Sequence, residues 1–568
     1  MCPASGPCSS AASAGPSASP GQSSDSGSTN NNGAVTTTLY RRGTVYSPAD
    51  PFATALLVDG VNVAWVGSEG AADAHADGVD RVIDLDGALV TPAFVDAHVH
   101  TTATGLAATG VDLTGAPSLA EVLRAVERRT REVRGGVVLG HGWDETGWPE
   151  RRPPTRAELD RAGYGGAVYL TRIDAHSAVV SSALLAVVPE ARVAVGFADS
   201  GWLTREAHHL VRAAALSSVA PAQRRAAQLA TLGRAAELGI GALHEMAGPD
   251  VSSAADLTAL LAVAEEVPGP QVLGYWGQLG GGSLTGVETA SKLGALGAGG
   301  DLFADGAIGS RTAGLRETYA DADHAGHVYL SAAHVRDHVL ACAEAGLQAG
   351  FHVIGDGAMD TVAAGLREAA GRIGAGPIRA ARHRLEHVEM PDAAAIATLA
   401  DLGVVASVQP VFDALWGGPD GMYARRLGAE RAATLNPFAA MAAAGVVLAL
   451  GSDSPVTALG PWEAVRAAAF HHNPDQRLSV RAAFTAHTRG GWRAARRDDA
   501  GVLVPGAPAT LAVWEAGDLV VQAPDDRIAA WSTDPRSGVP GLPDLSPGMP
   551  SPTCRATVVA GREIYRAP

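Results

Sequence analysis

Short runs of apolar and β-branched residues recur along the chain, and in its middle they alternate with longer alanine-rich stretches of helical periodicity. Near the start, residues 37–40, 44–46, 53–58, 61–66 and 82–85 are strand-like runs broken by Gly, Asp and Pro. That pattern predicts a small β-layer. A matching set, residues 510–514, 556–559 and 563–565, closes the chain. The two ends are expected to pair into one composite β-domain over residues 34–90 and 500–568. Between them, strand-like runs at 137–139, 167–170, 241–244, 350–354, 383–387, 404–408 and 446–450 are separated by helical runs such as 393–402. Repeated βα units predict a parallel sheet. Residues 101–238 are too many for one loop and predict an insertion with elements of its own within a unit spanning 91–499. Residues 1–33 are Ser, Gly, Ala, Pro and Asn with almost no bulky apolar side chain, and read as a disordered tail. The tail has neither a basic n-region nor an apolar h-region, so it does not read as a secretory signal.

Composition narrows the function classes. Of 568 residues 47% are apolar and 18% charged, enough to bury a large core. The net charge of −16 argues against electrostatic binding to nucleic acid or anionic membranes, a local basic patch aside. The longest charge-free apolar stretch, 437–451, is shorter than the roughly 18 residues of a membrane span. Cys2, Cys8, Cys342 and Cys554 have no metal-type spacing and read as free thiols in a reducing compartment, so a cytoplasmic location is expected.

The chemistry concentrates in a few positions. In Phe94-Val95-Asp96-Ala97-His98-Val99-His100 alternate residues share a strand face, so Asp96, His98 and His100 are expected to point one way, and two imidazoles so spaced can grip one ion. Alone the pair is a weak signal. His352 and His387, 35 positions apart, sit at the ends of apolar runs, and Asp453 follows another in Leu450-Gly451-Ser452-Asp453. One βαβ step is roughly 30 residues. The C-terminal ends of barrel strands form the active-site face. Four histidines and an aspartate converging there point to a metal site.

The segment Thr91-Pro92-Ala93-Phe94-Val95-Asp96-Ala97-His98-Val99-His100, together with Leu302-Phe303-Ala304-Asp305-Gly306-Ala307-Ile308-Gly309-Ser310-Arg311-Thr312-Ala313, resembles the amidohydrolase superfamily, and within it the amidohydrolase-3 group that includes N-substituted formamide deformylases. The resemblance implies an α/β fold, a distorted (β/α)8 TIM barrel with a long insertion and a composite small β-domain. It implies His98, His100, His352, His387 and Asp453 as ligands of a divalent metal, zinc by preference. It implies metal-dependent hydrolysis of a non-peptide carbon–nitrogen bond, amide or formamide, with Asp453 as the proton-transferring group and an imidazole, His352 or His176, helping to polarise the substrate carbonyl. A ring deaminase and an inactive scaffold are the alternatives. His176, in Asp174-Ala175-His176-Ser177, resembles a segment of the group and stands equally well as a structural residue. Trp143 reads as packing, and Asp305 and Arg311 as a structural ion pair, with binding of an anionic substrate the alternative for Arg311.

Metal count turns on lysine. In this group a lysine commonly precedes the Leu-Phe-Ala-Asp-Gly motif and is carboxylated to bridge two ions. Here Asp301 holds that place, and the only lysine of the chain, Lys292, lies outside the motif. Aspartate is several bonds shorter than a lysine carbamate. One ion is therefore favoured over two, unless the backbone brings Asp301 close enough to bridge.

Overall fold

The computed structural model describes residues 36–132, 136–280, 285–522, 531–532 and 540–568. The expected N-terminal tail lies outside these residues. At the centre, eight parallel strands follow one another in chain order: β1 (Phe94–Val99), β2 (Ile240–Ala247), β3 (Gln271–Trp276), β4 (Gly297–Ala298), β5 (Gln348–Val353), β6 (Arg384–His387), β7 (Val405–Val408) and β8 (Leu448–Leu450). Every residue of β1, β2 and β5 to β8 is buried, as strands covered on both faces require. The last strand meets the first just beyond its end. The Asp453 N–H donates to the His98 carbonyl at 2.8 Å, the His100 N–H donates to the Ser454 carbonyl at 3.0 Å, and Val99 and Ser454 form a parallel bridge. The sheet is thus closed into a (β/α)8 barrel, and closure itself sets His98, His100 and Asp453 side by side.

Local sequence explains the alternation. The helix Ala393–Leu402 starts where the Asp392 carboxylate accepts the Ala395 N–H, and it ends at Gly403 with φ 62°. The lower end of the barrel is sealed by aromatic rings. Phe94 meets Trp462 edge-on at 4.9 Å and Trp514 at 5.7 Å, and the Trp514 indole N–H donates to Thr91 Oγ1 at 2.8 Å.

Trp514 belongs to the strand Leu511–Glu515, which pairs antiparallel with Leu89–Pro92, so the two chain ends do join in one sheet. A second sheet holds the strands Thr37–Arg41, Ala55–Asp59, Asn62–Gly67 and Arg81–Asp84, while Thr44–Val45 joins Leu89–Pro92 in the first. The runs at 137–139 and 167–170 do not enter the barrel. They form strands Val138–Trp143 and Val168–Arg172 of a separate five-stranded sheet inside the insertion. Periodicity alone cannot say which sheet a strand joins. No helix among the described residues is long and apolar enough to cross a membrane.

Candidate metal centre

The expected ligands gather at the C-terminal ends of the strands. His98 and His100 come from β1 and the residue just beyond it, His352 from β5, His387 from the end of β6, and Asp453 from just beyond β8. His387 and Asp453 have φ values of 71° and 56°, left-handed conformations that cost non-glycine residues about 1–3 kcal/mol each and that cluster at functional sites. Gly451 permits the approach of β8 to β1, since a Cβ there would lie 2.6 Å from the His98 nitrogen.

Asp301 enters from the turn after β4. Gly300, at φ 85°, leaves no room for a side chain against Met246 and lets the turn aim Asp301 inward. Asp301 approaches the imidazoles closely: its Oδ2 is 3.2 Å from His100 Nε2, and its Oδ1 is 3.6 Å from His98 Nε2 and 3.8 Å from His387 Nε2. The backbone supplies the reach that the side chain lacks. Asp453 Oδ1 lies 3.0 Å from His100 Nε2 and 3.3 Å from His98 Nε2.

These separations suit a cation. Ligand atoms about 2.0–2.1 Å from a tetrahedral zinc stand roughly 3.3 Å apart. Three sets of donor atoms each lie within 4.8 Å of one another: His98, His387 and Asp453; His98, His100 and Asp301; and Asp301, His352 and His387. Asp301 belongs to two of them. His98 Nε2 and Asp301 Oδ1 are buried without a hydrogen-bond partner, a costly arrangement unless an ion satisfies them.

The outer nitrogens of three imidazoles are anchored to oxygen. His98 Nδ1 is 2.9 Å from Glu386 Oε2, His100 Nδ1 is 3.0 Å from the Met246 carbonyl, and His387 Nδ1 is 2.8 Å from Gln409 Oε1. Each Nδ1–H donates outward, which turns Nε2 toward the carboxylates and leaves it, once its proton is displaced, as the atom that could bind a metal. Glu386 is itself held by Arg384, whose Nε donates to Oε1 at 2.6 Å and whose guanidinium lies over the Tyr275 ring at 4.5 Å.

Charge follows geometry. Burial opposes ionisation of Asp301 and Asp453, but the facing imidazoles outweigh it and hold both carboxyls well below the usual range. For His100 burial favours the neutral ring, yet its two carboxylate partners push its pKa up to about 10. Burial raises Glu386, but Arg384 and His98 outweigh that and bring it to about 2. His176 is the opposite case: burial, with His352 and Arg212 nearby, holds it well below the usual histidine value, so it is neutral.

His176 does reach the site, with its Nε2 3.1 Å from His352 Nε2. It sits in the turn between insertion strands Val168–Arg172 and Ser177–Val180, which is docked through Ser310 Oγ donating to Asp174 Oδ2 at 2.6 Å. Asp96 stays outside the donor sets and accepts the N–H groups of Ser452 and His98. The Asp305–Arg311 pair does not form. Asp305 accepts the backbone N–H groups of Ile354, Gly355 and Gly314, while Arg311, at φ 56°, pairs with Asp321. Trp143 is packing, with its N–H on the Leu170 carbonyl. Glu386, Arg384 and Gln409 were missed from sequence. Two charged residues at alternate positions of the buried run Arg384-Leu385-Glu386-His387 were the available signal.

A closed parallel barrel with histidines and aspartates gathered at its C-terminal mouth defines a metal-dependent hydrolase. Residues 81–565 match the model of the Amidohydrolase family, and the chain belongs to that family. It is 27% identical over 519 residues to the protein LONG AFTER FAR-RED 3 of Arabidopsis thaliana, covering 85% of this chain and 87% of that protein. It is 34% identical over 139 residues to an N-substituted formamide deformylase of Arthrobacter pascens, covering 24% of this chain and 26% of that enzyme. An uncharacterised metal-dependent hydrolase of Pyrococcus furiosus superposes with a TM-score of 0.65 at 25% identity, covering 84% of this chain and 98% of that structure. The protein is an enzyme of the class that hydrolyses carbon–nitrogen bonds other than peptide bonds.

Proposed function

We propose that the chain hydrolyses the amide or formamide bond of a small molecule with the help of two zinc ions, which its clustered histidines and aspartates would hold. The observation that carries this reading is the set of three outward-anchored imidazoles facing two buried carboxylates, with Asp301 common to two donor sets. His98, His100, Asp301 and Asp453 would hold one ion, and Asp301, His352 and His387 the other. Nitrogen and oxygen donors in this number suit zinc. When bound, such ions supply Lewis acidity and bring the pKa of water to about 7.

The residues of the chain do the rest. Asp453 takes a proton from the attacking water and returns it to the leaving nitrogen. Water oxygen bonds to the carbonyl carbon, the C–N bond breaks, and a carboxylic acid and an amine leave. His176, neutral at physiological pH, offers its N–H to the carbonyl oxygen on which charge develops. The test is a turnover screen of zinc-loaded protein against N-formyl amines, N-acyl amines, cyclic amides and ring amidines. Amine release from the formyl or acyl compounds is expected. Ammonia release from ring amidines alone, or no turnover of any compound, would overturn the reading.

A further inference from the structure

Three arginines line the cavities at the metal centre, and they are not equivalent. The inner cavity, of about 120 Å³, is bounded by the candidate ligands other than His98 and by Arg172, His176, Arg212 and Phe303. An adjoining cavity of about 460 Å³ shares His100, Arg212, Leu216 and Val251 with it and is also lined by Arg224. Arg172 is neutralised three times over, by Asp144 at 2.9 Å, Glu145 at 2.9 Å and Asp174 at 2.7 Å. Arg224 pairs with Asp256 at 3.1 Å. Arg212 has no carboxylate within 4 Å among the described residues.

Arg212 is nonetheless fixed in place. It rises from the insertion helix Arg205–Ser217, where Nη1 donates to the Asp250 carbonyl at 3.1 Å and Nη2 donates to the Ala175 carbonyl. The Asp250 carboxylate lies instead 3.6 Å from His209 Nδ1. Two neutral backbone acceptors hold the guanidinium, and the Asp250 carboxylate, which feels its charge from beyond 4 Å, does not pair with it. The guanidinium is held one residue from His176, whose ring touches His352, so its charge stands next to the reacting centre. A guanidinium presents five N–H donors in a planar fork suited to carboxylates. Leu216 and Val251 beside it are apolar, and a substrate charge placed there has few competing partners.

We propose that Arg212 is the specificity residue of this enzyme, and that its substrates are N-formyl or N-acyl amino acids and related amides with a carboxylate a few bonds from the bond cleaved. The proposal rests on the hydrolase reading above and adds the substrate class.

The test compares N-formyl-leucine with its neutral methyl ester, using zinc-loaded wild type, Arg212→Met and Arg212→Lys, with melting curves to confirm folding. Loss of a charge-assisted pair of hydrogen bonds corresponds to about 10–100-fold. Wild type is expected to favour the acid by that factor in kcat/KM. Arg212→Met should collapse the acid-to-ester ratio of kcat/KM toward one, mainly through the KM of the acid, and Arg212→Lys should retain part of the preference. Equal or better turnover of the ester by wild type, or equal slowing of both compounds by Arg212→Met, would overturn the proposal while leaving the hydrolase reading intact. If neither compound is turned over, the failure lies with the choice of reaction. Calorimetric binding of N-formyl-leucine then decides: binding weakened in Arg212→Met supports the proposal, and no binding or equal binding overturns it.

Discussion

Replacing Glu386 by glutamine probes the centre through a residue that touches no substrate. Glu386 is fully buried between His98 Nδ1 at 2.9 Å and the Arg384 guanidinium at 2.6 and 3.0 Å. Glutamine keeps the shape but offers one oxygen for two donors. If that oxygen stays with Arg384, the amide NH₂ faces His98 and favours a ring with its proton on Nε2, pointing at the metal donors. Losing such an outer partner costs about 10–100-fold in metal affinity, or about 1.4–2.7 kcal/mol. Leaving a buried cation without its partner costs about 3–5 kcal/mol. Arg384 retains the Ala97 carbonyl at 2.6 Å and the Tyr275 ring, so about 3 kcal/mol is expected. At roughly 2.1 cal/mol/K per residue this shifts melting by only about 2–3 °C in a chain of this length, so melting is a folding control and not the readout. The readout is zinc affinity by competition with a chromogenic chelator. Kd should rise about 10–100-fold, and turnover should return toward wild type at saturating zinc. Unchanged zinc affinity in a folded variant would refute the idea that Glu386 sets the His98 tautomer.

Other expectations follow from single contacts. Asp453→Asn should lower kcat about 10²–10⁴-fold with zinc still bound by elemental analysis, because an amide cannot carry the proton; near-normal kcat would move that role elsewhere. His383 and His487 are buried and held near 4, chiefly by burial, so the folded chain does not protonate them where the unfolded chain does. As pH falls from about 6.5 to 4, each should remove about 3 kcal/mol of stability, and His487→Gln should shallow that loss in denaturant titrations at pH 4.5 and 7. Phe94→Ala, which empties the ring cluster at the barrel floor, should cost about 3–5 kcal/mol; a loss under 1 kcal/mol would show that the floor repacks.

Much of this was legible in sequence because it is local. Strands β1, β5, β7 and β8 announce themselves as apolar runs, and the His98, His352, His387 and Asp453 at or near strand ends carry recognisable spacing. β4, only Gly297–Ala298, has no pattern to read. What failed was long-range. The reach of Asp301 is not legible, because side-chain length is written in the sequence but the path of the Gly299–Gly300 turn is not. Arg311 stands six residues from Asp305, yet its left-handed φ turns it to Asp321. Glu386 and Gln409 matter only because the barrel places them behind His98 and His387, and Arg212 only because the insertion docks beside His176.

The most direct test of the account is zinc titration of metal-stripped protein, following bound zinc per chain by elemental analysis together with hydrolysis. The account predicts activity that reaches its plateau at two equivalents, and an Asp301→Ala chain that retains at most one tightly held ion and little activity. Full activity at one equivalent, with wild-type zinc content in Asp301→Ala, would contradict it.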